Sequence, residues 1–382
     1  MIISIKILQL IILYYFCKKL ILLKAKVKSF SLKSSKKKHK RFLRIKERKR
    51  AFRRSIQNLC KEEIHYRSLM TRYDKNYIVV TAPKIFSLKD DPEAFVLFIK
   101  KVENIKKAIS SKSIMFNLHN VEVLDFSAVS LLISLGYNLK LNNINFNGLN
   151  PKSKYLRWLL NEYKFLEQIG IAPSYENIHF SFGKKSDKIT IKGDSKVKSE
   201  LGIKIADYVS EMLFQKTGYY NDGLQILFLE LMANTTKWSD QSGEHNLWLL
   251  TMSFDKVSNQ IEFQFIDYGI GVFESLKRSG NYASWYSQFY KVISNNNKIF
   301  ESMLEGNSNI YKSSTGQYFR GKGIPSIKEN FINKYYDNVE ILTNDVYVNL
   351  SNDKYLNLKN NFNGTLIKWT INSENKFMNY NL

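Results

Sequence analysis

Apolar residues follow two alternating spacings between about residue 73 and residue 170. Runs rich in β-branched and aromatic residues predict strands at 77–82, 113–118 and 143–147. Between the strands, apolar residues three and four positions apart predict helices at 92–109, 126–139 and 153–170. Asp125 stands at the expected N-cap of the second helix. This regular alternation predicts an α/β layer with crossover connections.

The pattern changes after residues 171–198, a polar connector that contains one candidate hairpin. Beyond it, helical spacing predicts helices at 201–215, 222–237 and 324–332, and alternation predicts strands at 246–254, at 259–266 and after the last helix. Strands joined by short turns favour a mixed, mostly antiparallel sheet with helices on one face. The expected fold class is therefore α/β (α+β), an α/β layer followed by a two-layer α/β sandwich.

One of these helices carries polar residues that its apolar pattern does not explain. In the run LFLELMANTTKW, Glu230 and Asn234 lie four residues apart and share one face, and Lys237 follows one turn later. A carboxylate beside a carboxamide suits a water molecule and a divalent metal ion. The alternative interpretation is an ordinary solvated helix face.

An Asp-x-Gly-x-Gly motif comprises Asp267, Gly269 and Gly271 at the end of a predicted strand. The two glycines permit a turn that a Cβ atom would block, although a motif of this kind also occurs in plain strand-end turns. Gly364 and Thr365 begin the predicted last strand.

A second glycine motif stands directly before the helix predicted at 324–332. It consists of Arg320, Gly321, Lys322 and Gly323. Backbone N–H groups at a helix N-terminus bind phosphate, and the two basic side chains add positive charge. The sequence is not a Walker loop, because G-x-x-x-x-G-K-[ST] is absent.

Residues 199–376 resemble the GHKL ATPase superfamily, which includes DNA gyrase, heat-shock chaperones, histidine kinases and mismatch-repair ATPases. The resemblance rests on the four motifs occurring in the expected order. It implies that the chain binds ATP with Mg²⁺. Asn234 would hold Mg²⁺, Glu230 would polarise the attacking water or hydroxyl, and Lys237 would reach a phosphate.

The resemblance also assigns the remaining motif residues. Asp267 would accept a hydrogen bond from the adenine amine beside Gly269 and Gly271, and Thr365 would contact adenine through water. The run 320–323 would cradle phosphates. The intervening stretch, 272–320, corresponds to the ATP lid, and residues 295–297 and 306–316 are expected to be mobile.

Residues 71–170 resemble a STAS domain, the fold of anti-sigma-factor antagonists. The resemblance lies in IMFNLHNVEVLDFSAVSLL, where an apolar strand leads to an Asp-x-Ser at the start of a helix. Family members that are switched by phosphorylation carry a serine directly after this aspartate. Here that position is Phe126 and the serine follows at Ser127, which argues against regulated phosphorylation. The resemblance implies a protein partner for this segment.

Positive charge is concentrated at the N-terminus. Residues 1–54 hold 19 basic residues and one acid, a net of +18, whereas the remaining chain carries +6 of the total of +24. Residues 1–70 are expected to form a basic arm that is partly helical. The stretch from Lys33 to Arg54 is either a solvated tail or an electrostatic contact with nucleic acid or anionic lipid.

The two cysteines and the apolar N-terminus bear on the compartment. Cys17 and Cys60 have no metal-ligand spacing, which favours a reducing, cytoplasmic location. Residues 1–23 are apolar but interrupted by Lys6, Lys18 and Lys19, so a membrane anchor, an interfacial helix and a misassigned start remain alternatives.

The sequence is compatible with three functions. The first is a nucleotide-driven regulator that hydrolyses ATP, or transfers its phosphate as a serine-type kinase, to switch a protein partner. The second is an ATP-dependent clamp acting on nucleic acid, and the third is a non-enzymatic ATP sensor or scaffold. Glu230 argues against histidine kinase activity, because histidine kinases commonly have Asn at that position.

Overall fold

The computed structural model describes residues 77–108, 113–163, 187–193, 199–238, 248–278, 295–306 and 323–379, together with the single residues 47, 50, 165 and 290. The chain divides into two compact units, Met1–Arg72 and Tyr73–Leu382. The second unit is a mixed α/β structure with parallel and antiparallel sheets, which confirms the predicted class at this level.

Residues 77–163, here called the N-terminal segment, alternate strands and helices as predicted. The elements are β1 (Tyr77–Thr81), β2 (Ile85–Phe86), α1 (Pro92–Ala108), β3 (Ser113–Asn117), β4 (Val123–Leu124), α2 (Phe126–Leu141), β5 (Phe146–Leu149) and α3 (Lys154–Glu162). Strands β1, β3 and β5 form a parallel sheet in that order. The Asp125 carboxylate caps α2 by accepting from the Ala128 N–H at 2.8 Å, so the cap prediction is confirmed.

Residues 187–379, here called the C-terminal segment, contain the larger sheet. The elements are β6 (Lys188–Gly193), α4 (Ser199–Phe214), β7 (Tyr219–Tyr220), α5 (Asp222–Trp238), β8 (Trp248–Asp255), β9 (Gln260–Asp267), α6 (Gly271–Arg278), α7 (Asn296–Leu304), α8 (Gly323–Ile332), β10 (Asp337–Asn349), β11 (Lys354–Asn372) and β12 (Met378–Asn379). Strand β6 falls within the stretch predicted as a connector.

The larger sheet has five strands in the order β10-β11-β9-β8-β6, and every neighbouring pair is antiparallel. Helix α5 covers one face of it, here called the front face. Phe228 on α5 contacts the rings of Phe263 and Trp369, with centroids 6.2 and 5.5 Å away. A buried aromatic side chain of this kind contributes about 1.5–3 kcal/mol to stability.

The opposite face of this sheet, here called the back face, is covered by the N-terminal segment. Helix α1 packs on β11 and α2 packs on β9. One apolar cluster joins residues of α1 and α2 to back-face residues of the sheet: Leu249, Ile266, Leu342, Tyr347, Leu358, Phe362 and Leu366. The predicted two-layer sandwich is therefore incomplete, because the sheet lies between helices on both faces.

Polar contacts reinforce this packing. The Glu93 carboxylate on α1 accepts from the Lys359 N–H at 2.9 Å and from the Asn360 amide at 2.6 Å. The Gln264 amide donates to the Ser127 carbonyl at 3.3 Å. Both regions of contact therefore join the two segments through hydrogen bonds as well as apolar surface.

The stretch between the two glycine motifs contains structure that the sequence pattern did not predict. Helices α6 and α7 both lie there. Asn297 lies in the first turn of α7, where its N–H donates to the Asn357 side chain at 2.9 Å and its amide donates to the Tyr355 carbonyl at 3.2 Å. These bonds attach residues 295–297 to β11, and the mobility expected of them stays a prediction. Residues 307–316 lie outside the described residues.

Several predictions concern residues that the structure does not describe. The basic arm, apart from Glu47 and Arg50, the apolar stretch 1–23 and both cysteines belong to this group. Within the residues that are described, no helix is both long enough and apolar enough to cross a membrane.

Candidate functional site

Asp267 and Thr365 face each other across two central strands. Asp267 is the last residue of β9, as predicted, and its register partner on β11 is Thr365. Gly364 precedes Thr365 with a φ of +139°, and a Cβ atom there would lie 2.1 Å from the Asp267 carbonyl oxygen. Glycine is therefore required at 364 on two grounds, backbone conformation and close approach. Gly364 and Thr365 lie in the interior of β11 rather than at the start of a strand, which corrects the predicted boundary.

The Asp267 carboxyl group is buried and hydrogen bonded. It accepts from the Gly269 N–H at 2.8 Å and also interacts with the side chain and backbone of Thr365. Burial nevertheless raises the pKa of Asp267 to about 6, because removal from water outweighs the hydrogen bonds that favour the charged form. Such a carboxyl group can accept from a nitrogen donor once it has ionised.

The turn after Asp267 is held by β10, in a way the sequence did not predict. Gly271 has a φ of +75°, and a Cβ atom there would lie 2.5 Å from the Asn344 side-chain oxygen. The Asn344 side chain donates to the Ile270 carbonyl at 2.9 Å and accepts from the Phe273 N–H at 2.9 Å. The Thr343 hydroxyl accepts from the Val272 N–H at 3.0 Å and donates to the Gly364 carbonyl at 3.1 Å.

Thr343 and Asn344 therefore belong to the candidate site, and the sequence patterns did not predict them. A signal for Asn344 was present, because asparagine is disfavoured in strands and this one interrupts the strand-like run ILTNDVYVN. Asparagine tolerates left-handed backbone, and Asn344 has a φ of 50°.

Glu230 and Asn234 lie on α5 beside its buried stripe. Leu227 and Leu231 of that stripe are in the front-face core, whereas Glu230 is half-buried and Asn234 is exposed. Burial raises the pKa of Glu230. Within the described residues, no hydrogen bond or ion pair engages the Glu230 carboxylate, so its oxygens are available to a water molecule.

The Glu230 carboxylate lies against the first residue of α8. A Cβ atom at Gly323 would be 2.6 Å from a Glu230 carboxylate oxygen. The structure thus brings together the predicted helix motif and the end of the second glycine motif. Arg320, Gly321 and Lys322 lie outside the described residues, as does the side chain of Lys237.

Both groups of residues lie on the front face of the sheet. Phe263, Phe265 and Asp267 occupy every second position of β9 and so share one face, as do Thr365 and Ile367 on β11. These three apolar residues belong to the same core as Phe228 of α5. Alternation in a strand therefore directs Asp267 and Thr365 towards the layer that carries Glu230.

Residues of the N-terminal segment meet the other face. Ser127 is fully buried, and its carbonyl contacts Gln264 on the back face. The hydroxyls of Ser134 and Tyr268 are 2.8 Å apart, and burial raises the pKa of Tyr268. The sheet therefore separates Ser127 from Glu230.

Asn234 supplies an exposed amide oxygen, which is a ligand that Mg²⁺ accepts. Among the described residues, no three His, Cys, Asp or Glu side chains are grouped to hold a metal ion. This donor set fits an ion that retains water and is held mainly by phosphate oxygens, and it does not fit an ion bound entirely by protein.

No family model matches the chain, and none of the curated proteins shows significant similarity to it. The function of the chain is therefore inferred from the residues of the site.

Proposed function

We propose that this chain is an ATP-binding regulatory protein of the GHKL ATPase class, with a STAS-like N-terminal segment. The observation that supports this most is the cluster of Asp267, Gly269, Gly364 and Thr365 on the front face. A buried carboxylate beside a hydroxyl suits the amine of adenine, and it discriminates against a base that carries a carbonyl oxygen there.

Glu230 supports hydrolysis within this proposal. Its carboxylate has no described protein partner, and its raised pKa makes it a better proton acceptor than an exposed glutamate. Mg²⁺ bound with the phosphates would offset their negative charge. Asn234 would hold that ion, and the start of α8 would direct N–H groups towards phosphate.

The position of Ser127 bears on the choice between hydrolysis and phosphate transfer. It is buried behind the sheet, on the face opposite Glu230. Transfer to this serine would require the two segments to separate. We therefore favour ATP hydrolysis, or transfer to a group outside the chain, over transfer to the chain's own STAS-like serine.

The proposal predicts distinct effects for two glutamates. In Glu230→Gln, we expect the Kd for Mg-ATP to stay within about threefold of wild type and phosphate release to fall by about 100-fold or more, as for loss of a general base. Glu329→Gln, an exposed glutamate on α8, is the matched control and should leave both unchanged. Calorimetry and a phosphate-release assay give the two quantities.

Radiolabelled ATP distinguishes the remaining outcomes. Label transferred to protein would support a kinase, and binding without turnover would support a sensor. If neither wild type nor control binds ATP, the proposal is wrong. If Glu230→Gln hydrolyses ATP as fast as wild type, the role assigned to Glu230 is wrong.

A further inference from the structure

An irregularity in the sheet lies beside the candidate base site. Thr343 pairs with Thr365, but the next residue, Asn344, pairs with Phe362, so two residues of β11 have no partner on β10. One of them is Gly364. Bulges of this kind redirect side chains and occur frequently next to functional sites. Here the bulge coincides with the left-handed backbone of Asn344.

At the bulge, the Asn344 side chain forms hydrogen bonds to the turn that follows Asp267. Its amide group holds both ends of the turn, at the Ile270 carbonyl and the Phe273 N–H. It is only 3% exposed, so these bonds are shielded from competing water. Gly271 leaves the space that the side chain occupies.

Thr343 connects the same turn to β11, the strand on the other side of the site. Its hydroxyl bonds to the Val272 N–H on one side and to the Gly364 carbonyl on the other. It is also 3.4 Å from the Thr365 hydroxyl. Two adjacent side chains thus fix the turn that follows Asp267 and the strand that carries Thr365.

We propose that Thr343 and Asn344 are positioning residues that set the base selectivity of the nucleotide site. This inference rests on the proposed function, since it assigns the geometry of the base-recognition group in the same site. Neither side chain is required to touch the nucleotide. They fix the distance and angle between the Asp267 carboxylate and the Thr365 hydroxyl, on which recognition of an exocyclic amine depends.

The test compares ATP with inosine triphosphate, which has a carbonyl oxygen in place of the adenine amine. In Asn344→Gly the left-handed backbone is retained and the side-chain bonds are lost. We expect the ratio of ATP to inosine triphosphate affinity to fall about tenfold, as for one misaligned hydrogen bond, while the affinity for inosine triphosphate changes less than threefold. Thr343→Val should lower the same ratio, whereas Thr343→Ser keeps the hydroxyl and should retain the selectivity of wild type.

Asn338→Gly is the matched control. Asn338 is on the same strand, also has a left-handed φ, and donates one side-chain hydrogen bond to Thr370 at 3.0 Å. We expect its selectivity to equal that of wild type. If Asn344→Gly does not fold, Asn344→Asp and Thr343→Val serve in its place, because Asp keeps the acceptor for the Phe273 N–H.

The outcomes separate the two proposals. If wild type binds neither nucleotide, the proposed function is wrong and this inference with it. If wild type prefers ATP and the variants lose affinity for both nucleotides equally, the residues are structural and this inference alone is overturned. A fall in the ratio confined to the Thr343 and Asn344 variants supports it.

Discussion

The Asp267 carboxyl group depends on residues distant from it in the chain. Strand pairing places Thr365 opposite it, and the missing Cβ of Gly364 lets the two strands approach. Burial raises the pKa of Asp267 to about 6, although the Gly269 N–H stabilises the charged form. The group therefore changes its protonation state near pH 6, where, in the proposed site, a proton would compete with the amine of a bound base.

Nucleotide affinity should consequently depend on pH through Asp267. The amine needs an ionised acceptor, so affinity should be constant above the pKa of about 6 and fall by about tenfold per pH unit below it. In Asp267→Asn, the side chain cannot ionise and this component should disappear. Calorimetric titration with ATP from pH 5 to 8, run on both proteins, measures the dependence.

The ligand's own titration cancels in this comparison, because the same ATP is used throughout. The ratio of wild-type to variant affinity therefore reports Asp267 alone. A ratio independent of pH would show that Asp267 does not exchange a proton with the bound base.

At the residue scale, the sequence predicted the polar groups of the candidate site but not the residues that hold them in place. Asp267 and Gly364 carry recognisable local signals, since a strand end and a glycine both restrict backbone choice. Asn344 acts on a turn more than 70 residues earlier in the chain. No local spacing encodes that contact, because it arises only after β9, β10 and β11 have paired.

At the scale of elements, the contact between α2 and the sheet contains buried charges. Lys368 of β11 lies 3.4 Å from Glu340 of β10, with 11% and 4% of their side chains exposed. Burial alone would lower the pKa of Lys368, but Glu340, Glu262 and Asp125 together raise it. Lys368 therefore offsets negative charge on three carboxyl groups where α2 begins, and Lys188 also acts on Glu262.

Removing this cation should destabilise the protein strongly. We expect Lys368→Met to lower the free energy of unfolding by roughly 3–5 kcal/mol at pH 7, since it leaves the buried Glu340 carboxylate without its ion-pair partner. The loss should shrink as pH falls, because burial already raises the pKa values of Asp125 and Glu262 and protonation removes their charge. Urea denaturation at pH 5 and pH 7.5 measures both effects.

Lys359→Met is the control for the loss of charge itself. Lys359 is exposed on the same strand, and its substitution should change stability by less than about 0.5 kcal/mol. The double variant Lys368→Met, Glu340→Gln should recover part of the loss. An equal cost for the two lysines would contradict the assigned role.

Element prediction succeeded where one periodicity dominated. Helix α5 and strands β8 and β9 fall within two residues of their predicted bounds. Helices α6 and α7 were missed because a stretch rich in polar residues gave no clear period. Residues 337–349 and 354–372 form two long strands, whose outer parts have too many asparagines and lysines for alternation to reveal them.

At the scale of the molecule, the sheet in the middle has two apolar faces. The run QFID of β9 places Phe265 on the front face and Ile266 on the back. Near-continuous apolar runs are typical of strands covered on both sides. That signal was present in the sequence, but it could not indicate which segment provides the second cover.

The C-terminal segment should therefore not be stable by itself. A fragment of residues 187–382 would expose the back face, including Leu249, Ile266, Leu342, Phe362 and Leu366. An exposed, contiguous apolar patch favours association between molecules. We expect the fragment to elute as aggregates in size-exclusion chromatography, whereas residues 73–382 should elute as a compact protein. Co-expression with residues 73–165 should restore solubility.

The substitution Leu366→Thr should have opposite effects in residues 73–382 and in the fragment 187–382. In residues 73–382, Leu366→Thr removes a buried apolar contact and should cost roughly 2–5 kcal/mol. In the fragment the same change makes an exposed apolar face more polar and should reduce aggregation. Urea denaturation and light scattering measure the two effects. A monomeric fragment with a cooperative unfolding transition would instead mean that the N-terminal segment is dispensable for the sheet. Opposite signs for the same substitution cannot arise from a change in local propensity, so they would tie the effect to the covering of the back face.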